Sequence, residues 1–339
     1  DKTGFFFVLF FPLLMAVFFG SIFGGSGGGQ GSSVPVLVVD EDMSEESMAF
    51  IARLDEGTEL EIRPATREEA IDQVRQGKVS AYIAVMRGCN QFCSYCIVPH
   101  VRGREVSRPV PEIVEEAGDL VRGGTREIFL LGQNITAYGM AEARARGELT
   151  PEASPFADLL RAVDSVPGVE RIRFTSPHPR FMNQAFLDAV AELPHVCESF
   201  HIPLQSGSDR LLGLMRRGYD RTGYLERIHG LRRRLPHCTF STDVIVGYPS
   251  ETDGDIRATR ELMEEVGFDM AYVFRYSPRT GTPAARMTDD VPESTKLDRN
   301  KILLADLETR ALRHNRRRIG TRVQVLVEGP SKRNPARWT

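Results

Sequence analysis

The sequence predicts an α/β protein whose main body is a partial (β/α)6 barrel, and three observations carry that expectation. From Ala81 onward, short runs rich in β-branched and aromatic residues alternate with segments of helical spacing, the pattern of parallel strands joined by crossover helices. Each run ends in a polar turn rich in Gly or Pro: RGCNQFC, GQNITAYG, SPHP, PLQSGSD, GYPSET and SPRTGTP. Hydrophobic residues make up 41% and charged residues 26% of the 339 residues, the balance of a globular chain rather than a disordered one. The net charge of −3 excludes a chain-wide nucleic-acid footprint but leaves room for a local one. Five cysteines are too few for a disulfide scaffold of this length.

Four segments follow in order: residues 1–33, 34–80, 81–318 and 319–339. Residues 5–23 carry no charge and hold 8 of the 19 phenylalanines of the chain. As a helix this run reaches about 28 Å, close to the thickness of a bilayer core, so a membrane-type helix is expected. A buried core helix or a signal-peptide core are the competing readings. Residues 24–33 (GGSGGGQGSS) are a flexible tether. Between 34 and 80 the spacing predicts strands at 35–40, 60–63 and 79–85 and helices at 44–54 and 66–76, a small α/β unit without a catalytic constellation.

With 81–85 as the first strand, further strands are expected at 127–131, 171–175, 199–202, 239–246 and 270–276. Helices are expected at 156–165, 182–193, 224–234, 252–266 and 293–318. In such a fold the turns at the C-terminal strand ends build the active site.

The first of those turns holds the chemistry. Cys89, Cys93 and Cys96 form C-x3-C-x2-C directly after a strand, with Tyr95 beside the last. A loop with this spacing can wrap three thiolates around one centre. Three thiolates suit a [4Fe–4S] cluster with one iron free of protein ligands. Structural zinc and buried free thiols are the competing readings, with His100 the one nearby imidazole for a zinc site. Cys197 and Cys238 stand alone in other segments and read as small core residues.

These motifs carry a resemblance. C-x3-C-x-aromatic-C after a first strand is similar to the radical S-adenosylmethionine (SAM) enzymes. MRGCNQFCSYCIVPHVRGREVSRP, LLGQNITAYG, FTSPHP, HIPLQSGSDRLLGLMRRGY, STDVIVGYPSET and FRYSPRTGTPAARM together resemble the methylthiotransferases of that superfamily, from about Ala81 to the C-terminus. The resemblance implies that Cys89, Cys93 and Cys96 hold the SAM-cleaving cluster, whose open iron chelates the amino and carboxylate groups of SAM. It places Gly132, Gln133 and Asn134 near the methionine part of SAM, and Gln205 and Ser206 near its ribose and carboxylate. Asp243, Ile245 and Gly247 fall near ribose and adenine. Gln133 and Asn134 also read as turn formers, Gly247 as a tight turn, and His178 as a loop-ordering residue. The implied reaction adds a methylthio group to C2 of N6-isopentenyladenosine next to the anticodon of tRNA. Threonylcarbamoyladenosine in tRNA and a ribosomal-protein aspartate are the substrates of sister branches.

The implied partners are the tRNA anticodon loop, SAM and a reducing electron donor, and the implied location of the catalytic part is cytoplasmic. Two arginine clusters bear on the RNA. One is Arg102, Arg104 and Arg108, after the cysteine loop. The other is Arg310, Arg313, Arg316, Arg317 and Arg318, of which 310, 313 and 317 share a helix face. Residues 321–328 alternate like a strand and resemble the opening of a TRAM domain, the small tRNA-gripping β-barrel of this family. Full-length members also carry an N-terminal domain with three more cysteines for a second cluster, whereas residues 1–84 hold none. Those residues instead resemble the N-terminal part of an ABC-2 type transporter permease. They imply membrane contact through residues 5–23 and the rival reading of a non-catalytic permease fragment. The two resemblances meet at AYIAV, so a fused reading frame is expected.

Overall fold

Six parallel strands form in the order of the chain, which is the architecture the alternating pattern predicts. The computed structural model describes residues 80–327 and 334 in full, and 34–38 and 60–64 as backbone strands. The chain divides into two units, residues 1–73 and 74–339. In the first, β1 (Val34–Val38) pairs in parallel with β2 (Leu60–Pro64). The hydrophobic run 5–23, the tether 24–33 and the helices expected at 44–54 and 66–76 lie outside the described residues. No helix among the described residues is long and apolar enough to cross a membrane.

In the second unit β3 (Ser80–Ala84), β6 (Glu127–Leu131) and β7 (Arg171–Phe174) form one parallel sheet in the order β3-β6-β7. A second sheet comprises β8 (Ser199–His201), β9 (Thr239–Val246) and β10 (Met270–Arg275) in the order β10-β9-β8. A parallel bridge between Ile172 and Val196 joins them, with the Cys197 N–H donating to the Ile172 carbonyl at 3.0 Å. The result is an open, six-stranded partial barrel.

Strand side chains alternate between faces. In β9, Phe240, Thr242, Val244 and Val246 are buried beneath the outer helices, whereas Ser241, Asp243 and Ile245 face the half-open interior. Ile83, Ile128, Leu130, Ile172 and Phe200 complete the same outward core. Thus the polar residues of these strands are directed to the inside, where a ligand would sit.

The helices start where side chains can cap them. Ser154 caps α4 (Pro155–Asp164), Asn183 caps α5 (Gln184–Glu192) and Ser208 caps α6 (Asp209–Leu214). Asp220 caps α7 (Arg221–Arg234), and Thr252 with Asp255 forms a capping box on α8 (Asp253–Val266). Sequence analysis missed α2 (Val110–Arg122), which buries Ile113 and Ala117. Its opening Val-Pro pair looks like loop, but Pro is tolerated in a first helical turn. Two shorter helices, α1 (Val98–Val101) and α3 (Met140–Ala145), sit on the strand-end loops.

The long helix α9 (Glu293–Arg317) differs from the expected phosphate-facing stripe. Arg310 is 2% exposed and donates through Nε to Glu264 at 3.0 Å. Arg313 bonds the other Glu264 oxygen at 2.8 Å, and His314 pairs with Asp269 at 3.1 Å. Arg310 and His314 tie α9 to the neighbouring elements, while Arg313 pairs with Glu264 and stays exposed. No strand forms at 321–327, where among the described residues the one long-range hydrogen bond runs from Arg171 to the Gln324 carbonyl at 3.4 Å.

α9 is also fixed by a buried ion pair. Arg299 donates to the Glu251 carboxylate at 2.8 Å and to Asp253 at 2.8 Å, and Glu251 accepts the Gly247 N–H at 2.6 Å. Arg299→Met strands the Glu251 carboxylate and is expected to cost about 3 kcal/mol. The double variant Glu251→Gln/Arg299→Met is expected to recover part of that loss, as read from urea midpoints.

Candidate functional site

The cysteine loop is held shut at its base. β4 (Met86–Arg87) pairs antiparallel with β5 (Val106–Ser107), so residues 88–105 close on themselves. Gly88 has φ +72°, and a Cβ there would lie 2.0 Å from the Arg104 carbonyl oxygen, so only glycine fits. Inside the loop the Cys89 N–H donates to the Gly103 carbonyl at 3.2 Å.

Three contacts dock the loop on the strand ends opposite. The Ser94 N–H donates to the Met215 carbonyl at 3.1 Å, and the Ser94 hydroxyl shares a hydrogen bond with the Tyr248 hydroxyl at 2.8 Å. The Ala284 N–H donates to the Ser94 carbonyl at 2.8 Å. Cys89 and Cys93 are buried and Cys96 is half-buried. Burial, then the neighbouring Cys93, Glu105 and Cys96, push the Cys89 thiol up to about 11, against an opposing Gln91 N–H. Burial also pushes Cys96 up. Thiols so placed ionise when a cationic centre binds them.

A buried cation stands beneath the loop. Arg217 is 6% exposed and donates through Nη1 to the Cys93 Sγ and to the Tyr95 hydroxyl, both at 3.3 Å. Its Nε donates to the Tyr219 hydroxyl at 2.9 Å and its Nη2 to the Pro203 carbonyl at 3.3 Å. No carboxylate pairs with it among the described residues, and the Cys93 sulfur is one of its acceptors. Sequence analysis passed over Arg217. In sequence it lies in the RRGY turn after the fourth strand, with no local pattern to mark it.

Beside Cys96 lies a cavity of about 300 Å³, within the range of small-molecule sites. Its walls include Gln205, Asp243, Ile245, Tyr276 and Arg279. Residues singled out from sequence, Cys96, Gln205, Asp243 and Ile245, are therefore brought together. Gln205 has φ +72°, a costly conformation for a non-glycine residue. It is fixed because its N–H donates to the Asp243 carbonyl at 2.7 Å and its carbonyl accepts from Ile245 at 3.0 Å. The Asp243 carboxylate meets His201 Nε2 at 3.2 Å, while His201 Nδ1 meets the Ser241 hydroxyl at 3.0 Å. His201, also overlooked, orients that carboxylate.

The other expected residues lie around this centre without lining the cavity. Gln133 is exposed on the loop after β6. Asn134 is buried, accepting from the Thr136 hydroxyl at 3.2 Å, with its Nδ2 unpaired. A Cβ on Gly132 would meet the Met86 sulfur at 2.9 Å. The Ser206 hydroxyl faces α8, 3.4 Å from Thr259. At Gly247, φ +71°, a Cβ would strike Lys296 at 2.2 Å. His178 orders its loop as expected: its N–H donates to Thr136 at 2.9 Å and its Nδ1 accepts the Arg180 N–H at 3.3 Å. Burial and the cations Arg217 and Arg180 hold it well below the usual imidazole range, hence neutral.

Cys197 lies at the join of the two sheets and Cys238 packs partly against the core, both with thiols raised by burial. No group of three or more His, Cys, Asp or Glu side chains among the described residues is placed to hold a single metal ion. A cluster binds each sulfur at a different iron and does not need them to meet at one point. Two buried thiols and a half-buried one, a buried cation without a carboxylate and an adjoining cavity fit an iron–sulfur cluster with a ligand at its open corner.

Comparison with known proteins agrees with this geometry. The radical SAM superfamily model matches residues 83–263, and the ABC-2 family transporter protein model matches residues 2–88. Three relatives carry the name tRNA-2-methylthio-N(6)-dimethylallyladenosine synthase. The one from Akkermansia muciniphila is 46% identical over 258 residues, covering 76% of this chain and 55% of the relative. That from Opitutus terrae is 48% identical over 255 residues, covering 75% and 52%. That from Desulfitobacterium hafniense is 43% identical over 277 residues, covering 82% and 60%. The chain thus spans a little over half the length of the curated relatives it matches. Among solved structures, coproporphyrinogen III oxidase from Escherichia coli superposes with a TM-score of 0.51 at 17% identity, covering 71% of this chain and 56% of that one. The radical SAM methyltransferase TsrM from Kitasatospora setae gives a TM-score of 0.50 at 18% identity, covering 64% and 40%. With the match spanning more than half of its residues and the strand order, cysteine loop and cavity in place, the chain belongs to the radical SAM superfamily.

Proposed function

We propose that this chain is the radical SAM core of a tRNA methylthiotransferase, acting on C2 of N6-isopentenyladenosine next to the anticodon. The observation that carries the reading is the cysteine loop docked against a cavity that Gln205 and Asp243 line. Cys89, Cys93 and Cys96 hold the cluster, and Arg217 balances its charge from below. Asp243, oriented by His201, accepts from SAM hydroxyls or its amino group, and Gln205 offers its amide to the same ligand. Gln133 reaches SAM or RNA from the loop after β6. Asn134, Ser206 and Gly247 shape the wall from behind. The bound cluster supplies the electron that cleaves SAM, which in turn supplies the hydrogen-abstracting radical and, from a second molecule, the methyl group.

The sulfur is the open half of the chemistry. Beyond the loop trio these 339 residues hold two cysteines, Cys197 and Cys238, fewer than the three that a second cluster of this family takes. The reading therefore separates two outcomes. Anaerobically reconstituted protein is expected to bind about four irons. With dithionite it is expected to release 5′-deoxyadenosine. Nucleoside mass analysis in a deletion background tests the tRNA step. Appearance of the methylthio nucleoside supports the full reaction, and a methylthio mark on threonylcarbamoyladenosine or a ribosomal protein redirects the substrate. A reductant and, through residues 5–23, a membrane surface complete the proposed partners of a cytoplasmic catalytic part. A colourless protein confined to the membrane fraction would favour the permease-fragment reading.

A further inference from the structure

The arginines of this protein fall into two populations. Many on the outer helices are paired with acids: Arg221 with Glu265, Arg234 with Asp188, Arg260 with Asp306, and both Arg310 and Arg313 with Glu264. A second set around the cysteine loop forms no ion pair: Arg104, Arg144, Arg180, Arg216 and Arg279 are all exposed, with no carboxylate at ion-pair distance among the described residues. Each stands on a different strand-end loop, those after β4, β6, β7, β8 and β10.

Contacts link them around one rim. Arg144 and Arg180 line a single groove of about 410 Å³ together with Phe181. A Cβ on Gly218 would lie 3.1 Å from the Arg180 Nη1, which sets Arg180 beside the turn carrying Arg216. The residue before Arg216, Met215, accepts the Ser94 N–H of the cysteine loop through its carbonyl. Arg279 shares the cavity wall with Cys96. Two rim guanidiniums lie over aromatic rings, Arg104 on Phe92 at 4.6 Å and Arg180 on Phe181 at 5.7 Å. Phe92 is kept in a left-handed conformation, φ +45°, which costs energy for a residue with a Cβ.

Like charges gathered on one face repel one another, and a polyanion relieves that repulsion. We propose that this arginine rim, centred on the groove between Arg144 and Arg180, docks the phosphate backbone of a single-stranded RNA loop. The inference rests on the tRNA reading above and adds where the RNA lies. Arginine interleaved with aromatic rings favours RNA over an acidic protein, because unstacked bases find a stacking surface beside the phosphate contacts. On the helix α9, Arg310 and Arg313 are already paired with Glu264, which leaves Arg316, Arg317 and Arg318 near its end as the competing basic patch.

Binding of an anticodon stem-loop RNA to the full chain, followed by fluorescence anisotropy across a salt series, tests this. Arg144→Ala/Arg180→Ala is expected to weaken binding about tenfold and to flatten the salt slope by roughly 1.4, two lost single-strand phosphate contacts. Arg316→Ala/Arg317→Ala/Arg318→Ala is expected to change affinity by about twofold or less. Arg144→Gln/Arg180→Gln repeats the test if circular dichroism shows the alanine variant misfolded. Unchanged affinity in the rim variants overturns the proposal, as does polyglutamate competing as well as RNA, which would mark an acidic-protein surface. A wild-type chain that does not bind the RNA overturns both this inference and the tRNA reading. Rim-dependent RNA binding without methylthio product removes the reaction alone.

Discussion

Cys93→Ala is expected to abolish cluster assembly and to lower SAM cleavage by roughly 10³-fold or more, about 4 kcal/mol in barrier. Cys93 is the buried member of the trio that also receives the Arg217 hydrogen bond, so the variant removes a ligand and strands a cation. The effect on chemistry should far exceed the effect on folding. The loop is closed by backbone pairing of β4 with β5 and docked through Ser94, and neither contact uses the thiol. Thermal denaturation of iron-free protein should therefore change little, while iron content and 5′-deoxyadenosine yield collapse. Cys89→Ala and Cys96→Ala should behave alike. A Cys93→Ala protein that keeps its iron and cleaves SAM at the wild-type rate would show that the three sulfurs do not hold the cluster. Cys238→Ala, outside the loop, serves as the control that keeps its iron.

The legible part of this protein was its periodic part. Five of the barrel helices and all six parallel strands announced themselves through spacing and punctuation, because parallel strands flanked by helices must be apolar on the covered face. The cysteine trio was legible because metal chemistry constrains spacing along the chain. What the sequence concealed depends on pairing across it. Arg310 and Arg313 have the spacing of a solvated stripe, yet Glu264, on a different helix, pairs with both and Arg310 is buried. Arg217 and His201 carry no local pattern, since their partners are distant: Cys93 for one and Asp243 for the other. Likewise residues 321–327 alternate as a strand does, but alternation needs a neighbouring edge to pair with, and the described residues supply only the Arg171 contact.

Arg217→Met is expected to shift the reduction midpoint of the cluster to more negative potential, by roughly 60–120 mV. Reduction adds an electron beside the sulfur ligands, and a buried cation favours the more negative state. A hydrogen bond to a charged group is worth about 1.5–3 kcal/mol, and 59 mV corresponds to tenfold in a one-electron couple. Arg217 is suited to this because no carboxylate competes for it and because four acceptors fix its fork: the Cys93 sulfur, the Tyr95 and Tyr219 hydroxyls and the Pro203 carbonyl. Burial pushes the Tyr95 phenol well above its ordinary range, so it stays neutral and leaves the guanidinium charge uncompensated until thiolates form. Arg217→Lys keeps the charge but loses the fork, and should give a smaller shift with the same sign. Both variants lose buried hydrogen bonds, so a stability loss of about 2 kcal/mol accompanies the change. A redox titration followed by EPR on anaerobic protein separates the two effects, because only an electrostatic role moves the midpoint. An unaltered midpoint in Arg217→Met, with full iron content, would reduce Arg217 to a packing residue of the cysteine loop.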